Sequence, residues 1–512
     1  MARKWWVLAA VCAGVMMLLL DVTIVNVALP SIERDFSATL ADLQWVISGY
    51  ALALAAFLLT AGSLADRYGR RRIFGIGLVL FTVASTLCGL STGPVFLVVA
   101  RAVQGVGGAI MFATSLALLA DAFRGKDRAV AFGVFGAVTG AAVAIGPVLG
   151  GLITSGLSWR WIFFVNVPVG AVALLITILR VPESKDAHAA PLDIAGFATF
   201  SAALVALVFG LIRSTDVGWG SAQVVGALMA GGVLLVLFGV VEYRTSRPMF
   251  DLSLLRVPTF VGGLLAAFGI SASIFSLLTY LIIYMQNILG FSAVGAGLRF
   301  LPLTGAIFVT AGIAGRLSGH APRRVLIGAG FVLIAAGLFA MRGVTVTSSW
   351  THLVVGMVLA GVGAGLVNVP LVSTAVGVVH PSRAGMASGI NNTLRQTGIA
   401  AGVAVMGTIF ATQIRSSVTA HLGGTPLAAH AATLAHAIST GGAAQAVGSA
   451  PAALRATLAA TAQQSFVDGL NLILLIGAVV AGIAAVTSLA LIRERDFVST
   501  QEAGEMRLHE AA

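Results

Sequence analysis

The chain has 512 residues, of which 58% are apolar and only 10% charged, against roughly 25% charged in a soluble globular protein. This excludes an ordinary soluble domain and fits a polytopic membrane protein embedded in a lipid bilayer. The formal net charge of +11 would suit nucleic acid, but the cations lie in short loops between apolar runs, the positive-inside pattern, and no nucleic-acid partner is expected.

In chain order, about fourteen apolar runs are long enough to span, each span needing roughly 20 residues. The first six fall at about 5–29, 42–64, 73–91, 95–120, 129–155 and 161–180. Two more, at 193–213 and 222–241, lie between the halves and have no repeat partner. The last six fall at about 258–286, 296–317, 323–343, 351–376, 385–413 and 467–492. The apolar start after Arg3-Lys4 is too long for a signal peptide and lacks a small-residue cleavage site. With this register, 21 of the 30 Lys and Arg fall on the cytoplasmic side, 6 outside and 3 within helices. The asymmetry predicts an even helix number with both termini cytoplasmic. Arginine outnumbers lysine 27 to 3, a bias typical of a GC-rich bacterial genome, so the membrane expected is the bacterial cytoplasmic membrane. Cys12 and Cys88 both sit in apolar runs, so no disulfide framework is expected. The segment from about 414 to 466 reads as a solvated, partly helical external loop. Its His421, His430 and His436 are irregularly spaced with no Cys or acid near them, and no metal site is expected.

The loop Gly62-Ser-Leu-Ala-Asp66-Arg67-Tyr-Gly69-Arg70-Arg71-Arg72 crowds five charges between two spans. It must lie in water or headgroups. It returns about 253 residues later as Gly315 to Arg324, with Gly319 in place of Asp66. Gly105-Val106-Gly107 likewise returns as Gly361-Val362-Gly363, and Arg128-Ala129 as Arg383-Ala384. Three landmarks in one order at nearly one offset indicate an internal duplication. Duplicated halves around a midplane site are typical of secondary transporters. Asp66 can pair with Arg70 or accept from a helix N-terminus, contacts that form in one orientation of the halves and lock the cytoplasmic side. The plainer alternative is that the arginines only set topology.

Asp21 lies about eight residues from the outer end of the first span, where a charge costs at least ~2.5–3.5 kcal/mol. A carboxyl there lowers that cost by taking a proton, which makes Asp21 the candidate proton carrier. The alternative is a structural acid, capped or permanently paired. The other acids, including Asp42, Asp121, Asp193 and Asp468, read as loop or helix-end residues. Arg101 sits at nearly the same depth, roughly 9 Å from the outer end against roughly 12 Å for Asp21 at 1.5 Å per residue. It is the expected partner, and its movement would change how firmly Asp21 holds a proton; a static pair is the alternative. The fifth span carries Gly133, Gly136 and Gly140, then Gly146, Pro147, Gly150 and Gly151, a pattern for close helix approach and a kink. Polar residues inside later spans, Asn368, Asn391, Asn392, Arg395 and Gln396, should face a cavity or another helix. With Asn26, Tyr50, Gln104 and Phe112 they are the candidate lining for a bulky lipophilic ligand.

These residues carry a resemblance to the major facilitator superfamily, in particular its fourteen-helix drug:proton antiporters. Gly62 to Arg71 resembles the superfamily loop motif, and Arg101-Ala-Val-Gln-Gly-Val-Gly-Gly108 the fourth-helix motif implicated in proton transfer. Gly140 with Gly146-Pro147 and Gly150-Gly151 resembles the antiporter motif of the fifth helix. Leu20 to Pro30 and Trp159 to Pro168 resemble motifs of the fourteen-helix group. The resemblance implies an all-α fold of two six-helix bundles, 1–180 and 258–492, joined by two extra helices within 181–257, and a tail at 493–512. It implies efflux of lipophilic drugs or antibiotics by a monomer, driven by the proton gradient with no cofactor. Two departures stand out: the second loop lacks its acid, and the C-terminal half carries no second membrane acid. That absence speaks against divalent-cation transport and against more than one coupled proton. Export of one endogenous metabolite and proton-coupled import are the rivals within transport. An enzyme would need a convergent acid, base or nucleophile cluster, which is lacking, and no signalling domain supports a sensor. The excess of Arg101 and Arg395 over Asp21 favours neutral or anionic substrates.

Overall fold

The computed structural model describes residues 3–123, 125–185, 193–246, 248–317, 321–379, 384–423, 427–439 and 443–497. Gly319, Arg383 and the end of the tail, 498–512, therefore lie outside the described residues. Fourteen helices among the described residues are long and apolar enough to cross a membrane. They are α1 (Arg3–Phe36), α2 (Leu40–Tyr68), α3 (Arg70–Gly89), α4 (Pro94–Ala122), α5 (Gly125–Gly156), α6 (Trp161–Arg180), α7 (Ile194–Val217) and α8 (Ala222–Arg244). Then come α9 (Pro258–Ile288), α10 (Ala293–Leu317), α11 (Arg323–Ala340), α12 (Val354–Gly377), α13 (Ala384–Leu422) and α14 (Ala452–Leu491).

The helix starts follow local chemistry. Thr39 caps α2 reciprocally with Asp42, Pro94 opens α4, and Asp193 and Ser221 cap α7 and α8, each satisfying free N–H groups of a first turn. Between α2 and α3, Gly69 takes φ +108°, a conformation open to glycine at little cost. The carboxylate of Glu183 then caps α3, accepting from the N–H groups of Arg71 (3.0 Å) and Arg72 (3.2 Å).

Several helices outrun their apolar stretches. α13 continues to Leu422 and α14 begins at Ala452, so much of 414–466 is helix projecting past the bilayer, with short helices at Ala431–Ser439 and Ala443–Ser449 between. The alanine-rich composition explains this, alanine being the strongest helix former. Asp468 consequently sits well inside α14 rather than near a helix end, where it accepts from Ser417 Oγ at 2.6 Å and Gln464 Nε2 at 2.9 Å. α9 is interrupted by π turns at Ser271–Phe275 and Tyr284–Ile288, a feature the apolar pattern does not show.

α1–α6 share a core around Phe74, Phe81, Met111 and Leu118. α9–α14 share another around Tyr284, Phe331, Ile334 and Leu470. α7 packs across the seam of the two bundles, Leu204 and Val208 meeting Ala51 and Ala55 of α2 and Ala400 and Ala404 of α13. With fourteen crossings the start of α1 and the end of α14 lie at one end of the molecule. The bundles meet at the opposite end: Asn287 Nδ2 donates to Glu33 Oε2 (3.3 Å), Gln286 Nε2 to the Val27 carbonyl (2.9 Å), and the Val294 N–H to Ser155 Oγ (3.3 Å). Toward the termini the seam is held along α2 and α13, by Leu59 against Gly389 and Thr393 Oγ1 donating to the Ala55 carbonyl at 3.4 Å. There Gly133 and Gly136 of α5 have no neighbouring atom in reach of an added Cβ. The bundles are thus in contact at the far end and along α2 and α13.

Candidate functional site

α1 and α4 bring Asp21 and Arg101 together deep in the first bundle. Arg101 Nη1 lies 2.5 Å from Asp21 Oδ2, with the side chains 2% and 0% exposed respectively. The same Nη1 donates to Gln104 Oε1 (2.8 Å), and Gln104 Nε2 donates to the other carboxylate oxygen of Asp21 (2.9 Å). Gln104 therefore closes a three-residue ring one helical turn beyond Arg101. Arg101 Nε donates to the Val46 carbonyl on α2 at 3.3 Å, and the guanidinium stacks 4.1 Å from the Tyr50 ring centroid. A buried ion pair survives only when its remaining hydrogen-bonding capacity is met, and here α2 and α4 meet it. Tyr50 and Gln104, candidates for the cavity lining, belong instead to this buried cluster.

α5 lies against the helix that carries Asp21. An added Cβ on Gly150 would stand 3.0 Å from the Ile24 carbonyl, and Gly146 leaves no room for one beside Thr23. Gly151 and Gly297 are the close crossing between bundles, against Ala293 and the Pro147 carbonyl respectively. Gly140 meets Phe308 of α10. The α-helix runs through Pro147 without a break.

Among the described residues the loop cluster is internal to the first bundle. Arg70 donates to Asp66 Oδ1 through Nε (3.0 Å) and Nη2 (2.8 Å) and approaches Asp121 at 3.9 Å. Arg71 lies 3.6 Å from Glu183, Arg67 lies over Tyr68, and no C-terminal residue faces Gly62 within reach of an added Cβ. The cluster clasps α2, α3, α4 and the segment after α6, and among the described residues it does not bridge the bundles.

The remaining lining candidates divide. Asn26 Oδ1 accepts from Thr279 Oγ1 at 2.9 Å, a bond between bundles. Phe112 packs beside the first core. Arg395 Nη2 donates to Asn368 Oδ1 at 2.9 Å, linking α13 to α12. Asn392 bonds its own helix at Ser388, Asn391 is 1% exposed with neither amide atom partnered, and Gln396 is half-buried. Sequence reading passed over Thr279 and Gln286, which seal the far end, because a single hydroxyl or amide in a span gives no signal until its partner is known. It also passed over Glu242, 3% exposed at the end of α8, whose Oε2 accepts from the Phe250 N–H at 3.2 Å. An acid at a helix end reads as solvated when the returning chain that covers it is distant in pattern.

Residues 11–403 match the Major Facilitator Superfamily. The chain is 35% identical over 499 residues to the tetracenomycin C resistance and export protein of Streptomyces glaucescens, covering 95% of this chain and 91% of that protein. It is 37% identical over 416 residues to the multidrug resistance protein Stp of Mycobacterium tuberculosis (81% and 77%), and 37% over 412 residues to the puromycin resistance protein pur8 of Streptomyces alboniger (80% and 82%). Among solved structures, an inward-facing bacterial homologue of the human lysosomal transporter Spinster superposes with a TM-score of 0.61 at 19% identity, over 98% of this chain and 99% of that one. From the family match across most of the chain and the two bundles joined by α7 and α8, this is a multi-pass transport protein of the Major Facilitator Superfamily.

Proposed function

We propose that the chain exports lipophilic drugs or antibiotics across the bacterial cytoplasmic membrane in exchange for protons, by alternating access. Its relatives are named as resistance and export proteins, and the excess of cations toward one side supports cytoplasmic termini. With that sidedness the contacts of the far end close the outer side. The observation that carries proton coupling is the fully buried Asp21–Arg101–Gln104 ring. Protonating Asp21 cancels its charge and leaves Arg101 with only neutral partners. The contact between α1 and α4 therefore differs between the two protonation states, and α5, packed on Thr23 and Ile24 of α1, conveys the difference to the seam. In the cycle, Asp21 releases its proton inwards, substrate binds between the bundles, the bundles rock, and protonation from outside releases the substrate. The Asp66–Arg70 clasp holds the cytoplasmic ends of α2 and α3 as one rigid body during that rocking. The monomer is the working unit, with no cofactor beyond the gradient.

The test is efflux of a fluorescent lipophilic dye from an efflux-deficient host, wild type against Asp21→Asn at equal expression, with and without the pH gradient. Gradient-driven efflux lost in the variant supports the mechanism; an Asp21→Asn protein that still pumps with the gradient overturns it. Export of a single endogenous metabolite is the second reading, favoured by relatives such as the cephamycin export protein of Amycolatopsis lactamdurans. A panel of chemically unrelated dyes separates the two by breadth.

A further inference from the structure

The interior charges of the two bundles are not balanced alike. Arg101 has its carboxylate, whereas the guanidinium of Arg395 has a single partner among the described residues, the neutral Asn368 amide at 2.9 Å. Arg395 stands eleven residues into α13, about 17 Å from its start at 1.5 Å per residue, near the middle of the bilayer. Its neighbours on the helix show where it faces. Thr393, Ala400 and Ala404 lie against α2 and α7. Gly398 and Gly402 lie against α9, with backbone atoms 2.6 Å and 2.8 Å from an added Cβ. Arg395 falls opposite the α2 face, beside the residues that meet α9, and its bond to Asn368 draws it toward α12. One turn earlier, Asn391 is 1% exposed with neither its Nδ2 nor its Oδ1 partnered. A half-buried cation without a counter-charge at this depth is costly and marks a functional position in a membrane, and a buried amide with both atoms idle forfeits its hydrogen bonds.

We propose that Arg395 and Asn391, oriented by Asn368, form an acceptor-binding subsite for the acidic oxygen group of an otherwise apolar substrate. The guanidinium presents further N–H donors beyond the one given to Asn368, and a carboxylate suits their forked geometry. The Asn391 amide supplies an additional donor. The subsite thus selects for an acid on the substrate, while the Asp21–Arg101 pair, already neutral as a unit, takes no part in that selection. This inference rests on the reading of the chain as a small-molecule exporter.

The test is fluorescence titration of the purified full chain in detergent at pH 7.5 with three matched probes: 1-pyrenebutanoate, the neutral 1-pyrenebutanamide and 4-(1-pyrenyl)butylammonium. The acid binds at least about tenfold more tightly than either of the others, the scale of one charge-assisted hydrogen bond. Arg395→Gln abolishes that preference, Arg395→Lys keeps part of it, and Asn391→Ala weakens the acid severalfold without affecting the amide. Equal affinities, a preference for the ammonium probe, no binding of any probe, or an acid preference that survives Arg395→Gln each overturn the proposal. Should Arg395→Gln fail to fold, Arg395→Lys and Asn391→Ala carry the same comparison. Binding needs no gradient, so acid preference without gradient-driven efflux in proteoliposomes would sink the exporter reading and leave the subsite standing. Gradient-driven efflux of the ammonium probe alone would do the reverse.

Discussion

Closing of the far end depends on two helices touching through backbone, which makes it sensitive to a single methyl group. A Cβ on Gly151 would stand 2.6 Å from the Ala293 carbonyl oxygen and 2.7 Å from the Val294 Cα, where ordinary contact begins at 3.4 Å. Both obstacles are backbone, so α5 and α10 must separate by about 0.8 Å to admit alanine. Overpacking of this kind costs ~1–3 kcal/mol, which here falls only on the state closed at that end. The population ratio then shifts roughly 5- to 150-fold toward opening there, at 1.4 kcal/mol per tenfold. The assay uses a cysteine at Thr279, 4% exposed and bonded to Asn26 across the seam, in a background with Cys12 and Cys88 replaced by alanine. Labelling of intact cells by a membrane-impermeant maleimide should rise severalfold or more in Gly151→Ala, with transport falling as the protein is held open outwards. Gly297→Ala, which meets the Pro147 carbonyl, should act in the same direction. Unchanged labelling in both variants would refute the idea that this crossing sets the closed state.

Three further outcomes are expected. Arg101→Gln, which leaves Asp21 buried without its cation, should destabilise the protein by ~3–5 kcal/mol, and the double variant Asp21→Asn/Arg101→Gln should recover much of that in thermal unfolding without recovering transport; additive losses would show the pair to be uncoupled. Asp66→Asn weakens a clasp made within the first bundle, so it should lower transport while changing the melting temperature little, since a half-exposed pair contributes ~0–1 kcal/mol; a large fall in stability would contradict this. Glu242→Gln should not lower the melting temperature, because Glu242 Oε1 and Asp193 Oδ2, both unpartnered, each lie 2.6 Å from an added Cβ on Gly196 and an amide there can donate to Asp193. Glu242→Leu, which strips the Phe250 N–H of its acceptor, should lower it; the opposite order of the two variants would count against a carboxylate cluster tying α7 to α8.

The sequence by itself determined the number of spanning helices and their order, because hydrocarbon admits only long apolar helices and records each as a run. It also singled out Asp21 and Arg101, since a charge in an apolar run is conspicuous wherever it lies. Helix ends were less legible: α13 and α14 continue into water through alanine-rich segments, where helix propensity persists after hydropathy has ended. Only the tertiary structure decided which polar residues share a site. It gave Gln104 and Tyr50 to the Asp21 ring, set Asn26 against Thr279 across the seam, and left Arg395 with an amide in place of a carboxylate. Among the described residues it also kept the contacts of Asp66 and Arg70 within one bundle. The physical reason is that a partner is a matter of distance between helices far apart in sequence, and no local pattern records that distance.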